Sequence, residues 1–302
     1  MITAKPIPAG STGPDESAAR ARVITIRDVV AFLGLAVVTG LIIKSLILDA
    51  VCVQTGSMEG TLLPGDDVLV NKFVYGARTP DHLPWFKASI PALSLPSVQS
   101  PSIGDVVIFR FVPSDEVFPD SQHPLFIKRI IGCPGDTVQI LHGKVLVNGR
   151  HLTIPEAGRL SHEAVGEGAR PAFPDGSVSM SGDFDPIVVP GRGVDLILSE
   201  KTQVAWRRII EGEGHSVSIR SGLWFVDGTA CGTFSFAHQY YFVLGDHRSD
   251  SYDSRFFGPV RDDALVGKIM LVYWSRDENQ SGQARWYSLA NIRWQRVGSI
   301  VR

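Results

Sequence analysis

The chain has 302 residues, a formal net charge of −2 and 44% hydrophobic residues. That length holds one large domain, or two modest ones, together with an anchor. The near-neutral charge excludes the basic field that draws a protein to nucleic acid.

Residues 1–26 are rich in Ala, Ser, Gly, Pro and charge, and are expected to form a disordered cytoplasmic tail. From Val29 to Leu48 the chain is apolar apart from Lys44 and small or hydroxyl residues. A run of about 20 such residues spans a hydrocarbon core. Lys44 lies near its far end, where the long stem can reach the headgroups. The run is too long for the core of a cleaved leader and is followed directly by Asp49. Apolarity around the whole helical wheel argues against a buried core helix. A transmembrane anchor is therefore expected over 27–49. Lys5, Arg20, Arg22 and Arg27 precede the run, and beyond it the next basic residue is Lys72. The positive-inside rule then places the N-terminus in the cytoplasm and everything after residue 50 outside. In a bacterium that is a single pass through the inner membrane, with the body on the periplasmic face.

After the anchor, short apolar runs alternate with Gly, Pro and Asp. Asp67-Val-Leu-Val, Asp105-Val-Val-Ile-Phe, Thr137-Val-Gln-Ile-Leu and Tyr240-Tyr-Phe-Val-Leu read as strands. Val145-Leu-Val-Asn-Gly and Leu223-Trp-Phe-Val-Asp-Gly end in hairpin dipeptides. No helical period lasts more than two turns. A mainly β, antiparallel body with few helices is expected. Residues 78–101 are irregular and Pro-rich, with Trp85 and Phe86 either packed in the core or dipping into the membrane interface. Residues 158–190, rich in Gly, Ser, Pro and acid, read as a long loop or insertion.

Three cysteines, Cys52, Cys133 and Cys231, form no C-x-x-C pair, which excludes a zinc ribbon or thioredoxin-like motif. A Cys133–Cys231 disulfide is allowed outside the cytoplasm, and the sequence does not decide it. H-E-x-x-H and G-x-S-x-G are both absent, so serine chemistry here needs another base.

Four blocks carry candidate chemistry. They are Gln54-Thr-Gly-Ser-Met-Glu-Gly-Thr-Leu, Ser102-Ile-Gly-Asp-Val-Val-Ile-Phe, Phe126-Ile-Lys-Arg-Ile-Ile-Gly-Cys-Pro-Gly-Asp and Gly245-Asp-His-Arg-Ser-Asp-Ser-Tyr-Asp-Ser-Arg. Alone, each has a plain reading. Thr-Gly-Ser is usually a turn, a Lys-Arg pair usually faces solvent, and the last block suits a salt-bridged loop. Apolar residues on both sides of Lys128 shift the balance, because a strand apolar on both faces buries its lysine. Burial disfavours the ammonium form. The neutral amine can then take a proton from a serine hydroxyl, here that of Ser57, next to the permissive Gly56.

The four blocks, in this order behind an anchor, resemble the sequence boxes of bacterial signal peptidase I. The tail Ile292-Arg-Trp-Gln-Arg-Val-Gly-Ser-Ile is similar to the ending of Gram-negative members. The resemblance covers the anchor, about 50–140 and about 236–300. It implies a membrane-bound Ser–Lys endopeptidase that removes signal peptides from exported preproteins, with no cofactor; the oligomeric state is open, with a monomer as the default. Ser57 would be the nucleophile and Lys128 the general base. The Thr55 hydroxyl and the Ser57 N–H would form the oxyanion hole. Ser251 would orient the lysine amine, and Asp253 and Arg255 would support it as an ion pair. Val51, Val53 and Ile127 would wall pockets for small residues at −1 and −3. The implied fold is a signal-peptidase-type antiparallel catalytic domain, residues 50–144 and 236–302, with residues 145–235 as an inserted second β subdomain. The chain departs from the pattern at Gln54, Gly60 and His247, where Pro, Pro and Asn are usual. A specialised peptidase of the same clan and a non-enzymatic β domain that binds exported proteins remain as alternatives.

Overall fold

The computed structural model describes residues 25–76, 96–111, 124–155, 173, 183–198, 203–277 and 289–302. The tail over residues 1–24 and the Trp85–Phe86 stretch lie outside them. Ile43–Arg302 forms one compact unit, and α1 (Ile26–Ile42) belongs to another.

α1 opens with a capping box: Thr25 N–H and its hydroxyl donate to Asp28 Oδ2, and Asp28 N–H returns a bond to Thr25 Oγ1. Its large apolar side chains, among them Phe32, Leu33 and Leu35, are exposed. No described helix is long and apolar enough to cross a membrane. α1 has 17 residues, or about 26 Å at the usual rise. Ile43–Ile47 follow as a π-helical turn. The predicted anchor reached residue 49, but Leu48 and Asp49 open strand β1 (Leu48–Cys52) instead. They pair there with Asn71 and Val70, and Asp49 meets Lys72 at 3.2 Å.

The body is antiparallel β throughout. β1 is followed by β2 (Asp66–Asn71), β3 (Val106–Arg110) and β4 (Leu125–Gly132). Then come β5 (Thr137–Leu141), β6 (Lys144–Val147), β7 (Arg150–His151), β8 (Phe184–Val188) and β9 (Asp195–Ile197). Helix α2 (Gln203–Gly212) leads into β10 (Val217–Arg220), β11 (Leu223–Val226), β12 (Thr229–Cys231) and β13 (Thr233–Ser235). β14 (Tyr240–Leu244), α3 (Ser254–Phe257), β15 (Val260–Arg261), β16 (Leu265–Ser275) and β17 (Ser299–Ile300) complete the order. The main sheet runs β1-β2-β16-β3-β4-β14-β15, with β17 on β16. Smaller sheets are β7-β6-β5-β8, β10-β11-β12 and the β9–β13 pair.

Both predicted hairpin dipeptides take left-handed conformations, Asn148-Gly149 between β6 and β7 and Asp227-Gly228 between β11 and β12. Two positive φ values in a two-residue loop match the right-handed twist of the flanking strands. His142-Gly143 and Ser221-Gly222 do the same without having been predicted.

β2 shows the half-buried alternation, with Asp66, Val68 and Val70 inside. β4 differs, because it is buried on both faces from Lys128 to Gly132. An apolar cluster of Val53, Met58, Val68, Val70 and Ile108 fills the end near the first block. Residues of the 145–235 stretch share a second cluster with Ile131 and Phe242. Trp206 and Ile210 of α2 are anchored in it. Cys133 and Cys231 are free thiols, so the disulfide that the sequence allows is not formed.

Candidate active site

The connection between β1 and β2, residues 53–65, contains a 3-10 segment, Gly56–Met58. Met58 is buried and pulls the turn into the apolar cluster that also holds Val53, with Val51 and Ile127 packed against it. Ser57 is carried inward with it and is 8% exposed. Strand β4, two strands beyond β16, delivers Lys128, which is 4% exposed. Its Nζ lies 2.7 Å from Ser57 Oγ. The ammonium also stands 5.5 Å from the centre of the Phe126 ring on the same face.

Burial pulls the Lys128 pKa down from 10.5 to about 8. The carboxylates of Asp253, Asp250 and Asp246 oppose that shift, and the Arg255 guanidinium adds to it. The amine is thus buried far enough to lose its proton readily, but not so isolated that it is never charged.

Of the predicted oxyanion donors, Thr55 Oγ1 is 3.5 Å from Ser57 Oγ. Thr55 lies on the exposed side of the turn, while Ser57 faces inward.

The fourth block wraps Ser57 from behind. His247 N–H donates to Ser57 O at 3.1 Å. Asp253 caps α3 and takes Arg255 Nε and Nη2 at 2.8 and 2.9 Å, and the Gly245 N–H at 3.1 Å. Burial alone raises the Asp253 carboxyl, but Arg255 and these donors outweigh it and hold it below the ordinary carboxylate range. Arg255 Nη2 also donates to Arg248 O at 2.7 Å, which ties the pair to the loop. The expected Asp253–Arg255 pair is therefore assembled. Ser251 Oγ is buried beside the Asp253 carboxyl, which it helps hold down, and no direct bond from it to Lys128 is formed. It packs on Gly245 instead.

Gly245 is where the loop comes close to Ser57. A Cβ there would stand 2.5 Å from Ser57 O and would collide with the Ser251 side chain. Gly245→Ala is expected to push the two segments apart and lower kcat by about 10²-fold, the loss that goes with roughly 1 Å of misplacement. Steady-state kinetics against melting temperature checks this, since turnover should fall while most of the stability is kept.

Sequence reading missed Arg129. It is 1% exposed, on the strand face opposite Lys128. All five of its N–H donors are used. Nε and Nη2 meet Asp246 at 2.8 and 2.7 Å, and Nη2 also meets Thr61 Oγ1 at 2.8 Å. Nη1 reaches Gly104 O and Arg302 O, both at 2.8 Å. One side chain thereby joins the first, second and fourth blocks and the C-terminal segment. The signal was available in β4 itself, because a strand buried on both faces buries two consecutive side chains.

His247 does not compete for Ser57 Oγ. Its Nδ1 faces Glu59 Oε2 at 3.4 Å.

Comparison with known proteins gives a consistent result. The family model described as "Signal peptidase, peptidase S26" matches residues 26–274. Signal peptidase I of Aquifex aeolicus is 28% identical over 83% of this chain and 85% of its own. The Rickettsia typhi protein of the same name is 26% identical over 83% and 81%, and that of Pseudomonas aeruginosa 28% over 78% and 68%. A solved signal peptidase I from Enterococcus faecalis covers 57% of this chain at 21% identity, with a TM-score of 0.27, too low to bear on the fold. The matched segment takes in all four blocks, and the chain belongs to the signal peptidase family S26, a family of serine peptidases.

Proposed function

We propose that this chain removes N-terminal signal peptides from exported preproteins with Ser57 and Lys128 as a catalytic dyad. The observation that carries the reading is the 2.7 Å separation of Lys128 Nζ and Ser57 Oγ in a buried site. That is within proton-transfer reach. Ser57 Oγ attacks the scissile carbonyl carbon as its proton passes to the neutral Lys128 amine. The oxyanion is held by Ser57 N–H and the Thr55 hydroxyl. Lys128 returns the proton to the leaving amine, which frees the mature N-terminus. It then takes a proton from the water that attacks the acyl-enzyme and passes it to the departing Ser57 Oγ, so that the signal peptide leaves with a new C-terminal carboxyl group and the dyad is restored.

Val51, Val53 and Ile127 wall the pockets for the residues at −1 and −3. Their shared apolar cluster supports this assignment. Side chains of that size leave room for Ala or Gly and exclude bulk. Residues 145–235 form an inserted subdomain around the 50–144 and 236–302 catalytic part. None of the hydrogen bonds given to Ser57 or Lys128 comes from their described residues.

The chain is held at the bacterial inner membrane by its N-terminal apolar run, as a single-pass monomer with the catalytic part on the periplasmic face. The exposed apolar side chains of α1 support an anchor. So does the asymmetry of basic residues around it. Ser57 follows so closely in sequence that the site works beside the bilayer, where a preprotein's cleavage site emerges.

The test is to incubate the purified full chain with preproteins that carry Ala at −1 and −3, and with the same preproteins bearing Leu at −1. The first set should be cut after the −1 residue and the second left intact. A serine-directed acylating reagent should label Ser57. Uncut preproteins together with an unlabelled Ser57 would overturn the reading.

A further inference from the structure

One contact at the nucleophile turn has no part in the dyad. Glu59 directly follows Gly56–Met58, and its N–H donates to Gly56 O at 2.8 Å. Its side chain folds back over the turn, so that a Cβ on Gly56 would stand 2.8 Å from Glu59 Oε1. The other oxygen, Oε2, faces His247 Nδ1 at 3.4 Å. That nitrogen is buried and makes no hydrogen bond. His247 therefore touches the turn twice, through its backbone N–H on Ser57 O and through its ring toward Glu59.

A buried nitrogen short of a hydrogen bond destabilises the protein. Here the missing acceptor is close at hand. A bond forms at about 3.0 Å, so a closing movement of less than half an ångström brings Nδ1–H onto the Glu59 carboxylate. Hydrogen bonds in unliganded active sites are often long and tighten when substrate binds. Neither side chain bonds Ser57 Oγ or Lys128 Nζ, so their effect must pass through the backbone of the turn.

Resting on the reading of Ser57 as nucleophile, we propose that Glu59 and His247 are a positioning pair. Their contact draws the Gly56–Met58 turn against the Gly245–Arg255 block when substrate binds. That movement holds the Ser57 N–H where the oxyanion forms.

The pair is tested on the purified full chain with Glu59→Ala, His247→Ala, the double variant, His247→Asn and a Ser57→Ala control. The readouts are kcat and KM on a preprotein and the rate at which a serine-directed reagent acylates Ser57. Each alanine variant should lose about tenfold in kcat, part of the ~10²-fold that goes with a misplacement of about 1 Å. KM should not change, and acylation should slow by the same factor. The double variant should lose no more than either single, because both remove one interaction. His247→Asn should recover most of the activity, since an asparagine amide nitrogen can occupy the place of Nδ1. If an alanine variant fails to fold, Glu59→Asp takes its place, with the carboxylate withdrawn by one methylene. Unchanged kcat in the single variants, losses that multiply in the double, or an effect confined to KM would overturn the pair. A Ser57→Ala protein that still cleaves would instead overturn the nucleophile assignment and leave these rates to be read separately.

Discussion

Lys128→Met is expected to lower kcat/KM by roughly 10⁴-fold, the upper range of general-base effects, while raising the melting temperature. Methionine keeps the length of the side chain and removes the amine. Ser57 then has no group to take its proton, since His247 faces Glu59. The stability should move the other way because the lysine is 4% exposed and burial disfavours its charge. A variant that was inactive through misfolding would lose both. Calorimetry beside kinetics therefore separates the two explanations.

The parent enzyme should show the same group in its pH profile. Only the neutral amine accepts a proton, so kcat/KM should climb with pH and level off above about 8, where Lys128 has lost its proton. Below that point the slope should approach tenfold per pH unit for a single group. The stability carries the same signature. Lys128 titrates near 8 folded and near 10.5 unfolded, so the unfolded chain binds more protons between those values. Stability should therefore rise with pH from about 8 upward. Toward alkaline pH it meets an opposing trend from Tyr75, Tyr240 and Tyr241, whose hydroxyls burial holds protonated. A kcat/KM profile flat between pH 6 and 8 would be the contrary result.

How far all this was legible depended on whether the signal was local. The strands and the Asn-Gly and Asp-Gly hairpins were legible because their physics lies within a few residues. His142-Gly143 and Ser221-Gly222 use the same turn with a less distinctive first residue, and went unread. α2 escaped because its buried anchors, Trp206 and Ile210, span a single helical turn, too few for a period to emerge. The end of the apolar run was misplaced for a tertiary reason. Leu48 is as apolar as its neighbours, but β2 offers it a strand partner at Asn71.

At the site, Lys128 was legible because apolar residues flank it on both sides. A strand apolar on both faces buries Arg129 as well. The general preference of arginine for solvent hides this, because it is overridden only by the polar partners that other blocks supply. Ser251 shows the opposite limit. Its block was recognised, but the direction of one hydroxyl depends on contacts such as Gly245 that a sequence does not rank. Glu59 was invisible for the same reason, since its partner lies in another block.

Asp246→Leu is the variant expected to harm the fold most. Asp246 is 1% exposed and accepts from Arg129 Nε, Arg129 Nη2 and Thr61 Oγ1. Removing it leaves a buried guanidinium without its counter-charge, a change that destabilises by about 3–5 kcal/mol. That is a large share of the roughly 5–15 kcal/mol that keeps a domain folded. Leucine at both positions avoids the stranded charge, and in many proteins such a swap is close to neutral. It should not be neutral here. Arg129 Nη1 also serves Gly104 O and Arg302 O, so the double variant still strips those two carbonyls of a donor. Losing a donor destabilises by about 1–3 kcal/mol where the acceptor is cut off from water, and by less at the exposed Arg302. Urea unfolding should therefore rank the proteins as parent, then Arg129→Leu/Asp246→Leu, then Asp246→Leu. A double variant as stable as the parent would show that the Arg129 bonds to Gly104 O and Arg302 O add nothing net to stability.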